Sequence, residues 1–447
     1  MTISLSFLAA VALLLSSAVA SARPSAATSI PSPRQTVVTT GGALLDLAEQ
    51  AVRRGATSDA EAILTLLSND PHSDVRNEAR FRHAKLLLSK GMNTKAAVLL
   101  RQVIDENPDA TPVRLQLAQV LQALGDTEGA WREVRAAQAA GLPPAIARLV
   151  SRYSEALRLA RTAGASFEIA IAPDSNINHA TRSDTLDTIF GEFDVDQDSK
   201  AKPGTGLSLR GQAYRRLPLG ADYKLLARAS AFANLYRQTS FNDIAVDFAA
   251  GPELQLGRSR VNVEVGASAR WFGQKPFTRS ARLGLTWIRP VGTRSQLRLT
   301  GVAAIVDNRF NELQDGKSYS ARAEFERALA PTTGVGLSVS ADRQEMKDPG
   351  YSTAGWRAGL FGWHDLGRAT VTAGAEIGKL EADERLLLFP EARSDQYSRF
   401  TLGATFRQLT FGGLAPVARL VIERNRSTIE FYDYRRIRTE IGVVRAF

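Results

Sequence analysis

Residues 165–447 alternate in polarity with a period of two. Across Tyr223–Tyr236, Leu225, Ala227, Ala229, Ala231, Ala233 and Leu235 share one face, while Lys224, Arg228, Ser230 and Asn234 share the other. In 260–271, Val261, Val263, Val265, Ala267, Ala269 and Trp271 oppose Asn262, Glu264, Ser268 and Arg270. In 399–407, Phe400, Leu402, Ala404 and Phe406 oppose Arg399, Thr401, Thr405 and Arg407. Successive side chains of a strand point to opposite faces, so each run predicts a strand with one apolar face. The pattern recurs near 281–287, 297–305, 319–325, 335–341, 371–377 and 418–422. It predicts about fourteen strands of roughly ten residues or more, long enough to cross a bilayer at a tilt.

The last run keeps this alternation through Ile437, Thr439, Ile441 and Val443 on one face and Arg438, Glu440, Gly442, Val444 and Ala446 on the other. Such a strand is expected to pair with the first and close a barrel, because an open edge in lipid leaves backbone groups unpaired. The first strand is expected over Ala165–Ala172, followed by a long connection at 173–204. Beyond it, the longer connections fall at odd positions ("RQTSFND", "GQKPFT", "DNRFNELQDGKS", "EMKDPGYS", "EADERLLLFPEARSDQ", "NRSTIEFYDYRR"). The tight ones fall mostly at even positions ("LPLGA", "LGRS", "PVGTR", "LAPTTG", "DLGR", "FGGLAP"). Outer-membrane barrels have long outer loops and short periplasmic turns. A soluble sandwich would bury the apolar face under a second sheet and requires no loop order. An even strand count places both barrel ends in the periplasm.

Before residue 163 the period changes. Gly55, Ala60 and Leu64, then Gly91, Ala96 and Leu100, then Gly125, Ala130 and Val134 repeat one spacing, with Pro71 and Pro108 closing the first two units and Gly141 and Pro143 the third. The glycine suits the left-handed end of a first helix, and the alanine lets the second helix approach closely. A period near 34 resembles tetratricopeptide repeats, with Ala84 and Ala118 at the small position of the first helix; such stacks bind extended partners in a groove. A last helix is expected over 144–162. The organisation is therefore a leader at 1–22, a Pro/Ser/Thr-rich flexible linker at 23–42, a repeat domain at 43–162 and a barrel at 163–447.

The leader expectation rests on the apolar core Leu5–Leu15 and small residues that allow cleavage after Ala20 or Ala22. Composition adds exclusions. The 447 residues contain no cysteine, so the mature chain has no disulfide and carries no lipid on a thiol. The formal net charge of +10 is dispersed through the strands, which favours lumen-facing arginines over a nucleic-acid surface. His72, His83, His179 and His364 are the only histidines and stand in no metal-ligand or nucleophile spacing, so neither a cofactor nor an enzyme is expected.

Two segments are more specific. "IAPDSNINHATRSDTL" follows the first strand and "ERNRSTIEFYDYRRIRTEIGVVRAF" ends the chain. With the short repeat array and the barrel, residues 45–447 resemble the surface lipoprotein assembly modulators of Gram-negative bacteria. The resemblance implies an outer-membrane translocon that moves client proteins, lipoproteins or related haem- and iron-capture proteins, from periplasm to cell surface. It maps onto Asp174, Ser175, Asn176 and Asn178 in the first motif and Asn425, Ser427, Tyr432, Tyr434, Arg435 and Arg438 in the last. Glu440, Gly442 and Phe447 resemble the ending that barrels present to the assembly machinery, from which Arg445 departs. The implied partners are the client, that machinery, periplasmic chaperones and outer-membrane lipid.

Fourteen strands about 4.8 Å apart and tilted about 40° give a backbone diameter of roughly 28 Å, and side chains reduce the opening below about 20 Å. A folded 100-residue domain, with a radius of gyration of about 13 Å, is wider, so a protein client is expected to cross substantially unfolded. The alternatives are an exopolysaccharide exporter, whose acidic polymer Arg228, Arg270, Arg298, Arg322 and Arg357 would suit, and a general porin, which leaves the repeats unexplained.

Overall fold

The computed structural model describes residues 40–124, 126–139, 163–220, 222–367, 369–406, 409 and 414–445. The leader, most of the linker, Gly125, the helix expected at 144–162 and Phe447 lie outside these residues. Helices α1 (Gly41–Arg53), α2 (Thr57–Leu67), α3 (Ser73–Ser89), α4 (Asn93–Glu106), α5 (Thr111–Leu124) and α6 (Thr127–Ala139) come first.

The turn chemistry explains the helical hairpins. Gly55 and Gly91 adopt φ of +79° and +74°. Their N–H groups donate to the Val52 and Leu88 carbonyls, and the next N–H groups, of Ala56 and Met92, donate to Ala51 and Leu87. This paired closure satisfies carbonyls that a helix end leaves open. Asp126 N–H makes the corresponding bond to Leu121. Ala60, Ala96 and Ala130 are buried, as are Ala84 and Ala118. Ala60 and Leu64 belong to a core shared by α1–α3, and Ala84, Ala96, Leu100, Ala118, Ala130 and Val134 to a second running from α3 to α6. The repeats thus stack side by side. Hydrogen bonds from Arg76 and Arg80 to Glu106 tie α3 to the end of α4 and hold that carboxyl down to about 2.

The strands are β1 (Ala163–Asp174), β2 (Thr185–Thr188), β3 (Gly191–Asp194), β4 (Gly204–Pro218), β5 (Tyr223–Tyr236), β6 (Asp243–Leu256), β7 (Ser259–Phe272) and β8 (Lys275–Val291). They continue as β9 (Ser295–Asn308), β10 (Gly316–Ala330), β11 (Thr333–Met346), β12 (Thr353–Leu366), β13 (Ala369–Ala382), β14 (Ser394–Thr405), β15 (Leu414–Ser427) and β16 (Tyr434–Arg445). All but β2 and β3 form one closed antiparallel barrel of fourteen strands, with β1 between β16 and β4; β2 and β3 pair with each other in the first long connection. Among the described residues no helix is long and apolar enough to cross a membrane; the strands make the crossing.

Every neighbour in the barrel is antiparallel, so the register fixes which residues share a face. Val265 pairs with Leu283, Leu337 with Leu360 and Ile171 with Ile441, all exposed on the outside. Their neighbours Glu264, Asp174 and Glu440 are buried on the inside. An exposed apolar belt around a polar interior is what lipid outside and water inside require. The inner parity also carries bulky groups: Phe232 faces Arg210 across β4–β5, and Phe361 and Trp363 of β12 stack with ring centroids 6.0 Å apart.

At the end away from the helices the connections span 175–203, 237–242, 273–274, 309–315, 347–352, 383–393 and 428–433. Those at the helix end span 219–222, 257–258, 292–294, 331–332, 367–368 and 406–413. Two break the expected order. The stretch "GQKPFT" is largely strand, because Gly273 and Gln274 at φ of +56° and +67° make a two-residue turn and the β7–β8 ladder runs up to it. The 406–413 connection is long on the short side. The first strand is also longer than expected, by two residues at each end.

Candidate functional site at the closing seam of the barrel

The barrel closes where β1 meets β16, and the backbone there does less than elsewhere. Among the described residues, β1 pairs with β4 at every position from Ala163 to Asp174, and with β16 over Glu168–Ile171 and at Asp174. Pro173 has no N–H to give the ladder. Side chains of the two sequence motifs continue the join. Ser175 N–H donates to the Ile437 carbonyl at 2.9 Å, and Ile437 N–H donates back to Ser175 Oγ at 2.8 Å. Asn176 Nδ2 donates to the carbonyls of Ala180 and Arg435.

Inside the wall, the Asp174 carboxylate is fully buried. Arg436 donates to it from Nε at 2.9 Å and from Nη2 at 2.5 Å, and from Nη1 to Glu423 at 3.1 Å. Arg438 lies 3.7 Å from Asp174 and donates to Asn234 of β5 at 2.8 Å. One step deeper, Arg438 Nε forms an ion pair at 2.9 Å with Glu440, whose carboxylate accepts hydrogen bonds from Arg210 at 2.7 Å and Arg419 at 2.5 Å. Arg419 of β15 grips Glu168 of β1 with two parallel bonds of 3.0 Å. An alternating ladder of carboxylate and guanidinium therefore runs down the seam and spans β15, β16, β1 and β4. Fork-shaped arginine pairs of this kind are the strongest charged hydrogen bonds, and they fix geometry as well as charge.

The motif residues divide by position. Asp174, Ser175, Asn176 and Arg438 meet at the seam. Asn178 ties the start of the first loop to its end, accepting from Lys202 N–H and donating to the Lys200 carbonyl. Asn425 donates to Asp395 and to the Tyr432 carbonyl, and Ser427 Oγ accepts from Ile429 N–H, so these hold the 428–433 loop. The Tyr432 ring lies under the Arg393 guanidinium at 3.7 Å, and the Tyr434 ring meets His179 edge-on at 5.4 Å. Arg435 offers its carbonyl to Asn176; its side chain has the outward parity. Glu440 is a rung of the ladder, and Gly442 packs so closely on β1 that a Cβ there would meet the Ile169 carbonyl oxygen at 2.0 Å. Sequence reading passed over Arg436, Glu423, Glu168, Arg210 and Arg419. Their signal was opposite charges on the inner parity of the first and last strands.

The lumen arginines elsewhere are also engaged. Arg228 donates to Glu264, Arg282 bridges Asp247 and Glu264, and Arg270 pairs with Asp243 at 2.8 Å. Arg322 bonds Glu324 at 2.8 Å, Arg298 stands 3.8 Å from the same residue, and Arg357 lies over the Tyr397 ring. At the helix-side mouth, Arg135 of α6 donates to Glu326 of β10 at 3.0 Å and to Gln296 of β9 at 3.4 Å. Asp126 and Arg132 there line a cavity of about 850 Å³ together with inner-wall residues Arg216, Arg282, Arg298 and Glu324.

A sequence model of the tetratricopeptide repeat matches residues 87–163, and one described as surface lipoprotein assembly modifier matches residues 165–447. No curated protein matches the chain. Solved structures that it resembles include a bacterial polysaccharide outer membrane secretin, at 14% identity over 63% of this chain and 98% of that one, with a TM-score of 0.34. A loop-deletion mutant of OmpT, an outer membrane protein of Vibrio cholerae, matches at 9% identity over 64% of this chain and 98% of that one, with a TM-score of 0.34. A porin matches at 9% identity over 64% of this chain and all of that one, with a TM-score of 0.33. With its family model spanning the whole barrel and tetratricopeptide helices ahead of it, the chain belongs to the surface lipoprotein assembly modifier family and is a protein of the outer membrane.

Proposed function

We propose that this protein conducts client lipoproteins, substantially unfolded, from the periplasm through the barrel to the cell surface, with the helical repeats receiving them at the inner mouth. The general role in surface lipoprotein assembly follows from the family, and family and fold point to a transport barrel rather than an enzyme. The observation that carries the finer reading is the shared cavity: α6 is bonded to the inner wall through Arg135, and the α5–α6 turn lines the same space as the lumen. A client leaving the repeats enters the barrel without crossing open solvent. No nucleotide-binding signature supplies energy, so folding outside the cell is the bias that draws the chain through. Asp174, Arg436, Arg438 and Glu440 keep the seam shut around the passing chain, and the barrel assembly machinery, periplasmic chaperones and outer-membrane lipid serve its own biogenesis.

An exporter of an acidic polymer needs free cationic charge along its path. Arg228, Arg270, Arg298 and Arg322 instead stand beside carboxylates, which favours a polypeptide carrying both signs. The test is surface display. Co-expression with candidate secreted lipoproteins, read by protease accessibility on intact cells, is expected to place a client outside only when residues 43–160 are present. Display that persists after their deletion, with the barrel still folded, rejects the receiving role.

A further inference from the structure

The first outer connection holds the hairpin β2–β3; β2 packs on the Glu430–Tyr432 turn, and among the described residues no strand pairs with the outer edge of β3. All four residues of β3 are exposed, and β3 pairs with β2 alone. The hairpin abuts the 383–393 loop, where Ile189 N–H donates to the Leu388 carbonyl at 3.1 Å. Large apolar groups at this junction stand in solvent: Phe190 is 73% exposed, Phe193 53%, Leu387 78% and Leu388 53%. An exposed strand edge is a template for another strand, and natural proteins usually protect it with lysine, proline or a covering element. Here the edge carries neither lysine nor proline, and its charges are acidic, with Asp184 paired to Lys200 beside it. Residues 183–199 contain Asp184, Asp187, Glu192, Asp194, Asp196 and Asp198 and no lysine or arginine, in a chain whose formal net charge is +10.

We propose that the β2–β3 hairpin and the 383–393 loop form a docking edge for an extended polypeptide segment that alternates apolar and basic residues. The segment adds as a strand beside β3, lays its apolar side chains against Phe190, Phe193 and Leu387, and faces Glu192 and Asp194 with its cations. Strand addition gives affinity through main-chain bonds, so many sequences can use one edge, and the side chains set the preference. Charge selects the occupant. An anionic lipid surface would be repelled by these carboxylates, and a second copy of this chain would bring the same carboxylates to the contact. The proposal rests on the transport reading only for the source of the polypeptide, a client emerging from the barrel.

The test uses the full chain in nanodiscs and a fluorescent peptide of alternating lysine and valine. Controls are the same peptide with glutamate for lysine, and one with proline at alternate positions so that backbone donors are lost. The expected result is binding of the lysine peptide alone, weakened at least about tenfold by the double change Phe190→Ser with Phe193→Ser, and weakened by Glu192→Gln with Asp194→Asn in a salt-dependent way. Heat-shifted migration in gels verifies that each variant has a folded barrel. Equal binding of the proline or glutamate peptide overturns the proposal, as does undiminished binding by the serine variant. A Phe190→Trp reporter separates the other occupants. Its emission is expected to move to shorter wavelength only when peptide is added. A blue-shifted emission before that assigns the edge to lipid, and a dimer dissolved by the serine variant assigns it to a second copy; either result overturns the proposal. Peptide binding is measured without transport, so it stands or falls separately from surface display.

Discussion

Arg436 is the most informative position at which to perturb the seam. Its guanidinium makes two bonds to the fully buried Asp174 and one to the buried Glu423, and thereby joins β16 to β1 on one side and β15 on the other. Arg436→Met takes the forked partner from Asp174 and one donor from Glu423, leaving Asp174 with the Asn176 N–H and with Arg438 at 3.7 Å, and Glu423 with the Tyr397 hydroxyl and with Arg399 at 3.5 Å. Breaking a buried pair from one side costs about 3–5 kcal/mol, and the lower half of that range is expected because each acid keeps another donor. Arg436→Lys keeps the charge but reaches only one carboxylate with a point charge, so about 1.5–3 kcal/mol is expected, one charged hydrogen bond. Asp174→Asn alone is expected to cost several kcal/mol, yet the pair Asp174→Asn with Arg436→Met is expected to fall short of the sum by about 2 kcal/mol or more. Urea unfolding of the full chain in micelles, followed by tryptophan emission, measures all four corners of the cycle. Additivity within about 0.5 kcal/mol would refute the claim that these two side chains act as one bond across the seam.

Other positions test the remaining claims. Val265→Arg, on the exposed belt, is expected to lower barrel stability in lipid vesicles by about 2–4 kcal/mol, whereas water on that face would leave the change near neutral. Leu100→Ala, in the repeat core, is expected to cost about 2–5 kcal/mol of helical stability by thermal circular dichroism, with the strand signal unmoved. Arg135→Ala and Glu326→Ala are each expected to raise ion conductance in planar bilayers, and the double variant to add nothing further; independent increments would dissociate α6 from the mouth. Glu106, held down to about 2 by Arg76 and Arg80, stabilises the repeats above its unfolded value of 4.5 and loses that contribution as pH falls towards 2. Glu106→Gln is therefore expected to lower helical melting at pH 7 and to match the parent near pH 2.

Much of the architecture was legible because it depends on short-range periodicity. Alternation at 223–236 and 260–271 needs only the geometry of a strand, and the Gly55 and Gly91 spacing needs only the geometry of a helix end. Even the lipid-facing parity of Ile437 and Ile441 could be read one strand at a time. The short turn at Gly273–Gln274 was missed because glycine, glutamine and proline together suggest a loop, while the ladder on both sides overrides that preference. The hairpin within 173–204 was missed because four-residue strands carry too little pattern to stand out.

The sequence by itself determined the kind of elements, the number of barrel strands and the medium each face meets, since a side chain's direction repeats along its own strand or helix. It also marked two motifs, far apart in the chain, without giving a reason for them. Only the tertiary structure decided that these motifs touch, that Arg436 rather than Arg435 reaches Asp174, and that Arg135 reaches Glu326 at the inner mouth. Those facts depend on which strands become neighbours when the sheet closes and on how the register sets charges opposite one another. Both are settled by contacts between residues hundreds of positions apart, which no local period records.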